Sequence, residues 1–115
     1  MLSNLVYPAT VKAQLVVESK RAFFPLAGQL AAASLGLDAD EVAEVLLERE
    51  RLGSTAFGRG MAIPHGRIAG LGGVRGLFFQ FARPIDFDAV DALPVDLAFV
   101  LLSPLDAGAA HLKAL

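Results

Sequence analysis

Val95 to Leu102 reads Val-Asp-Leu-Ala-Phe-Val-Leu-Leu, a nearly continuous apolar run. A strand of this kind suits burial on both faces, inside a sheet covered by other layers. Its uninterrupted part, Leu97 to Leu102, falls far short of the ~18 residues a membrane-spanning helix needs. The run therefore belongs to a core. The chain has 115 residues, 55% of them apolar and 19% charged. That composition excludes an intrinsically disordered chain and allows one domain, spanning 1–115. A domain of this size buries roughly two-thirds of its unfolded surface.

Around that strand the pattern predicts strands mixed with helices, an α/β or α+β arrangement with a mixed central β-sheet flanked by helices. Leu15-Val16-Val17 is a short strand candidate. Ser19 is a candidate N-cap for a helix over 20–35, with Gly36 as its stop. Pro25 is awkward there: the helix either kinks or begins later, near Phe24. Asp38 with Glu41 makes an N-terminal capping pattern for a second helix. Val42, Val45 and Leu46 form its apolar face, Glu44, Glu48 and Arg51 its solvent side, and it ends near Arg51, before Gly53. Gly53 to Gly60 is expected to be a loop, Met61-Ala62-Ile63 a short strand, and Pro64-His65-Gly66 a turn. Val74 to Phe81 predicts a strand with Leu77, Phe79 and Phe81 on one face and Phe78 on the other. Residues 83–93 are expected to be a polar connection, and 107–115 the start of a helix.

Ten basic residues stand against twelve acidic ones. With no basic block, nucleic acid is not an expected partner. The absence of cysteine excludes disulfides and thiolate metal sites and fits a reducing cytoplasm. Met1 to Leu5 lacks the basic-then-apolar order of a secretory signal. No metal or cofactor is expected, because two histidines far apart and scattered aspartates lack ligand spacing.

Of the two histidines, His65 has the unusual setting. It follows a strand and Pro64, precedes Gly66, and lies just after a loop rich in glycine and hydroxyls: Gly53, Ser54, Thr55, Gly58, Arg59 and Gly60. A lone histidine is more often packed or merely exposed. This one is presented, and a neutral imidazole has a ring nitrogen able to act as a nucleophile. The loop is not a Walker A motif, since Arg59 stands in place of lysine and Gly60 in place of the hydroxyl. On pattern alone it is equally a backbone cradle for phosphate or a flexible connector.

The stretch Leu46 to Gly66, with its Arg49-Glu50 pair and Ala62-Ile63-Pro64-His65-Gly66, resembles the IIA domain signature of the bacterial phosphoenolpyruvate-dependent phosphotransferase system, fructose/mannitol type. The resemblance continues through Pro84 to Asp88, Pro94 to Leu97 and Ala110-His111-Leu112, and is greatest to the nitrogen-regulatory branch. It implies the type-2 (mannitol IIA-like) fold and a phosphoryl-carrier component rather than a free-standing enzyme. By this resemblance His65 accepts a phosphoryl group from the phosphohistidine of an HPr-like carrier (NPr), and Arg49 and His111 steady its oxygens. Potassium transport and sensor kinase components are the downstream partners it implies. Without the resemblance, Arg49 reads as a surface helix residue paired with an acid.

Three departures from the family pattern carry expectations. Arg59 is a cation where the family is acidic, small or amide, and should favour the phosphorylated state or contact a partner. Pro25 interrupts a helix that is usually unbroken. The family's domains run well past His111, so the chain is expected to be C-terminally truncated. If complete, it should expose apolar surface and self-associate or be marginally stable. Two other functions compete: a sugar-specific IIA component passing phosphate to a IIB domain, and a binding module that is not phosphorylated.

Overall fold

The computed structural model describes residues 10–105. Its elements are β1 (Val11–Leu15), α1 (Lys20–Leu35), α2 (Ala39–Arg51), β2 (Ala56–Gly58), β3 (Met61–Ala62), β4 (His65–Arg67), β5 (Arg75–Ile85) and β6 (Val95–Ser103). The apolar run is β6, and from Ala98 onward it is buried at every position. β5 pairs antiparallel on one side of β6, while β3 and β4 both pair parallel on the other. Met61 aligns with Leu97 and His65 with Leu101, a constant offset. β3 and β4 are thus one line along β6, interrupted at Ile63-Pro64, where proline offers no N–H. β1 lies parallel to β5 and β2 antiparallel to β3, which completes a mixed six-stranded sheet.

Both helices begin where side-chain oxygens cap them. The Ser19 hydroxyl accepts from the Ala22 N–H and the Asp38 carboxylate from the Glu41 N–H, satisfying donors that the helix cannot. α1 ends at Gly36 in the left-handed conformation, as the sequence predicts. It starts at Lys20 and runs through Pro25, so the later start near Phe24 is not adopted. The α1–α2 contact is close at Gly28, where a Cβ would come within 2.2 Å of the Ala39 carbonyl oxygen. The core between helices and sheet is aromatic. Phe23 meets Phe24, Phe79, Phe81 and Phe87 edge-on, with centroids 5.0 to 5.9 Å apart, a favourable geometry for ring quadrupoles.

Four expectations change. The first strand is 11–15, not 15–17, because pairing with β5 selects it; Val16 to Ser19 instead turn the chain into α1. The 53–60 segment is not all loop: Ala56–Gly58 is β2. Arg59 and Gly60, with φ of 58° and 77°, form the tight turn of a β2–β3 hairpin. Pro64-His65-Gly66 is not a turn, since His65 to Arg67 pair with β6. β5 runs on to Ile85, which is buried again after three exposed residues, Ala82 to Pro84. The register shifts between Gln80 and Ile85, which accommodates the proline. The helix expected over 107–115 lies outside the described residues.

Candidate functional site

His65 opens β4 at the sheet margin and is half-buried. Its Nδ1 lies 2.8 Å from the Ile63 carbonyl oxygen. A carbonyl can only accept, so Nδ1 carries the proton and Nε2 keeps its lone pair. Arg49 Nε donates toward that Nε2 at 3.3 Å, and Arg49 Nη1 donates to the Gly53 carbonyl at 2.9 Å. The second bond holds the guanidinium across the C-terminal end of α2, where a cation is favoured by the helix dipole. Gly66 lets α2 come this near. A Cβ there would stand 2.4 Å from Val45 Cγ1.

Under this pair lies a network that the pattern reading did not single out. Glu50 is buried, with its side chain 3% exposed. Its carboxylate accepts from the Thr55 N–H at 3.0 Å, from the Thr55 hydroxyl at 2.7 Å and from Lys20 Nζ at 2.9 Å. Lys20 also reaches Asp88 Oδ2 at 3.3 Å and sits 5.2 Å over the Phe87 ring. A signal existed: Val42, Leu46 and Glu50 are spaced by four, which puts the carboxylate on the buried stripe of α2. Its partners gave none: Thr55 lies five residues on, across the turn that ends α2, and Lys20 is remote in sequence.

The other residues singled out fall in two groups. Gly53, Ser54 and Thr55 lie beside Arg49, but their groups have protein partners. The Ser54 hydroxyl donates to the Phe87 carbonyl at 2.7 Å and accepts from the Ala56 N–H. Gly58, Arg59 and Gly60 make the hairpin turn, and the structure does not bring them to His65. Gly60 lies beside Asp96 and Leu97, roughly 16 Å down the strand line from His65 at ~3.3 Å per residue. Arg59 donates its N–H to Asp91 Oδ2 at 2.8 Å. That bond, with a second from the Leu93 N–H, holds the Asp91 carboxyl below its ordinary value of 3.8. The expected effect of Arg59 on a phosphoryl group at His65 therefore loses its geometric basis. His111 lies outside the described residues. Among the described residues no group of three His, Cys, Asp or Glu side chains could hold a metal ion, and no helix is long and apolar enough to cross a membrane.

Chemically, the site offers one unprotonated imidazole nitrogen beside a planar fork of N–H donors. Such an arrangement suits a nucleophile attacking an electrophile that carries anionic oxygens. Residues 5–115 match the family described as phosphoenolpyruvate-dependent sugar phosphotransferase system, EIIA 2. A nitrogen regulatory protein of Bradyrhizobium diazoefficiens is 47% identical over 114 residues, covering 99% of this chain and 74% of that protein. The crystal structure of the nitrogen regulatory protein IIA-Ntr from Neisseria meningitidis superposes with a TM-score of 0.90 at 39% identity, over 97% of this chain and 77% of that one. Mannitol IIA from Escherichia coli gives a TM-score of 0.76 at 16% identity, over 94% and 78%, a likeness of fold.

Proposed function

Because the chain belongs to the EIIA type-2 family of the phosphoenolpyruvate-dependent sugar phosphotransferase system, we propose that it carries a phosphoryl group on His65 Nε2. The chain is a phosphocarrier of the nitrogen-related phosphotransferase system, as its similarity to nitrogen regulatory proteins supports. The donor is the phosphohistidine of an HPr-like carrier, and the setting is the cytoplasm. The observation that carries this reading is the hydrogen bond from His65 Nδ1 to the Ile63 carbonyl, which leaves Nε2 as the nucleophile.

In the transfer step the Nε2 lone pair forms a bond to phosphorus as the donor's N–P bond breaks. The electron pair of the broken bond returns to the donor's ring nitrogen. Positive charge develops on the His65 ring, and the Ile63 carbonyl stabilises it at Nδ1–H. Arg49, now 3.3 Å from Nε2, meets the phosphoryl oxygens as they arrive. Phosphoryl transfer depends on positioning and charge stabilisation, which is what these residues supply. His111 is proposed as a second donor to those oxygens. The added group brings roughly −1.5 to −2 charges, by analogy with other phospho-residues. That change lets the phosphorylation state select among regulated partners, of which potassium transport and sensor kinase components are the proposed kinds.

Intact-mass measurement after incubation with phosphoenolpyruvate, enzyme I and the HPr-like carrier tests this. A single acid-labile adduct is expected on the wild type and none on His65→Ala. An adduct that survives His65→Ala would place the acceptor elsewhere. The sugar-specific reading predicts onward transfer to a fructose or mannitol IIB partner. The mannitol likeness, at 16% identity, speaks for fold alone.

A further inference from the structure

We infer that Glu50 is a positioning residue for His65, acting through Thr55 and Ile63; the inference rests on His65 being the phosphoryl acceptor. The links are in series. Glu50 accepts from the Thr55 N–H at 3.0 Å and from its hydroxyl at 2.7 Å. The Thr55 carbonyl accepts from the Ile63 N–H at 3.0 Å. The Ile63 carbonyl then accepts from His65 Nδ1 at 2.8 Å. Pro64, between Ile63 and His65, has a fixed φ and transmits the placement.

Glu50 is also the neighbour of Arg49 on the last turn of α2. One side chain turns inward to hold the loop while the adjacent one reaches the imidazole. A buried carboxylate is costly unless its lone pairs are used, and here three donors use them. Lys20 bonds Oε2, the oxygen that also accepts from the Thr55 N–H, at 2.9 Å, so the start of α1, the end of α2 and the loop share one fixed point. If Thr55 is released, the Ile63 carbonyl is no longer held in place. The neutral imidazole then divides between its two tautomers, and in one of them Nε2 carries the proton and cannot attack.

The effect is positional rather than one of charge, because each link in the series belongs to a different peptide group. A glutamine can make the same bonds. Its carbonyl oxygen would accept from the Thr55 N–H and Lys20, and its amide would donate to the Thr55 hydroxyl.

The test uses the unphosphorylated chain and three variants, read by the ¹⁵N shifts of the His65 ring, by thermal unfolding, and by the transfer rate from the phosphorylated HPr-like carrier. Glu50→Asp withdraws the carboxylate by one methylene while keeping its charge opposite Lys20. It is expected to show mixed tautomers and a transfer rate lower by about tenfold or more, the scale set by sub-ångström to ångström misplacement of reacting groups. Glu50→Gln is expected to restore the Nδ1–H tautomer and the rate. Thr55→Val gives up the hydroxyl bond but keeps the N–H bond, so it should unfold at lower temperature with the tautomer unchanged.

A folded Glu50→Asp with wild-type tautomer and rate would overturn the inference, as would a Thr55→Val that shifts the tautomer equally. If Glu50→Asp does not fold, Lys20→Met/Glu50→Leu takes its place, since a buried ion pair replaced by apolar residues of similar size often keeps the fold: mixed tautomers support the inference and the wild-type tautomer overturns it. Absence of a phosphoryl adduct on wild-type His65 would overturn the acceptor reading alone, because the tautomer is measured with no donor present.

Discussion

Arg49 and His65 are sixteen positions apart in the chain, and their contact defines what each can do. The guanidinium is held by Gly53 as well as by the imidazole, so its orientation is set before any ligand arrives. A lysine at this position would keep the charge but lose the fork that bonds both the Gly53 carbonyl and incoming oxygens. Arg49→Lys is therefore expected to lower the transfer rate by about a hundredfold, the scale of removing one preorganised oxyanion donor, with the unfolding temperature unchanged. A wild-type rate would show that the charge alone suffices. Asp91 acts at the same scale but on stability. Its carboxyl is held below 3.8 chiefly by the Arg59 N–H, then by the Leu93 N–H. A folded-state value below the unfolded one stabilises the fold above pH 3.8, and that contribution is lost as pH falls further. Asp91→Asn should thus unfold at lower temperature than the wild type at neutral pH, and the gap should close in acid below that value. A gap independent of pH would assign the effect to something other than the carboxylate.

Elements meet at the site because of what their neighbours lack. β4 abuts α2 at Gly66, where a Cβ would stand 2.4 Å from Val45 Cγ1. Gly66→Ala should push α2 outward, widen the Arg49–His65 separation and cost about 1–3 kcal/mol of stability, as overpacking does. Chemical denaturation and transfer rate together check this. Trimming the opposing side chain in Gly66→Ala/Val45→Ala should recover the rate more than the stability, since the clash is relieved while apolar burial is lost. The β2–β3 hairpin shows the opposite relation between sequence and element. Its turn places Arg59 in the left-handed region, where asparagine and glycine are favoured. The pairing of β3 with β6 and the Asp91 bond hold it there. A glycine-rich stretch can be a loop or a hairpin, and the flanking strands settle which.

Across the whole molecule, the fold depends on an aromatic centre joining α1 to the sheet. Phe23 is wholly buried among four other rings. Phe23→Ala should cost about 3–5 kcal/mol, a large share of the ~5–15 kcal/mol that holds a domain together. Phe57→Ala, at a ring 54% exposed, should cost no more than about 0.5 kcal/mol. Urea midpoints with unchanged slopes would check both. The sequence by itself determined the features that are local. Ser19 and Asp38 mark the helix starts because a cap and its N–H targets lie within three residues. The alternation of Leu77, Phe79 and Phe81 marks a strand face because the period is two. The unbroken run of β6 marks the centre of the sheet because only a doubly covered strand tolerates it. The Arg49–His65 pair was legible only through a family resemblance, since nothing in the spacing joins them. Tertiary structure alone decided the rest: that β3 and β4 are one line along β6, that Arg59 lies away from His65, and that Glu50, Lys20 and Thr55 share a buried site. These depend on pairings between segments distant in the chain, whose free energy comes from register and burial and has no counterpart in any local run of residues.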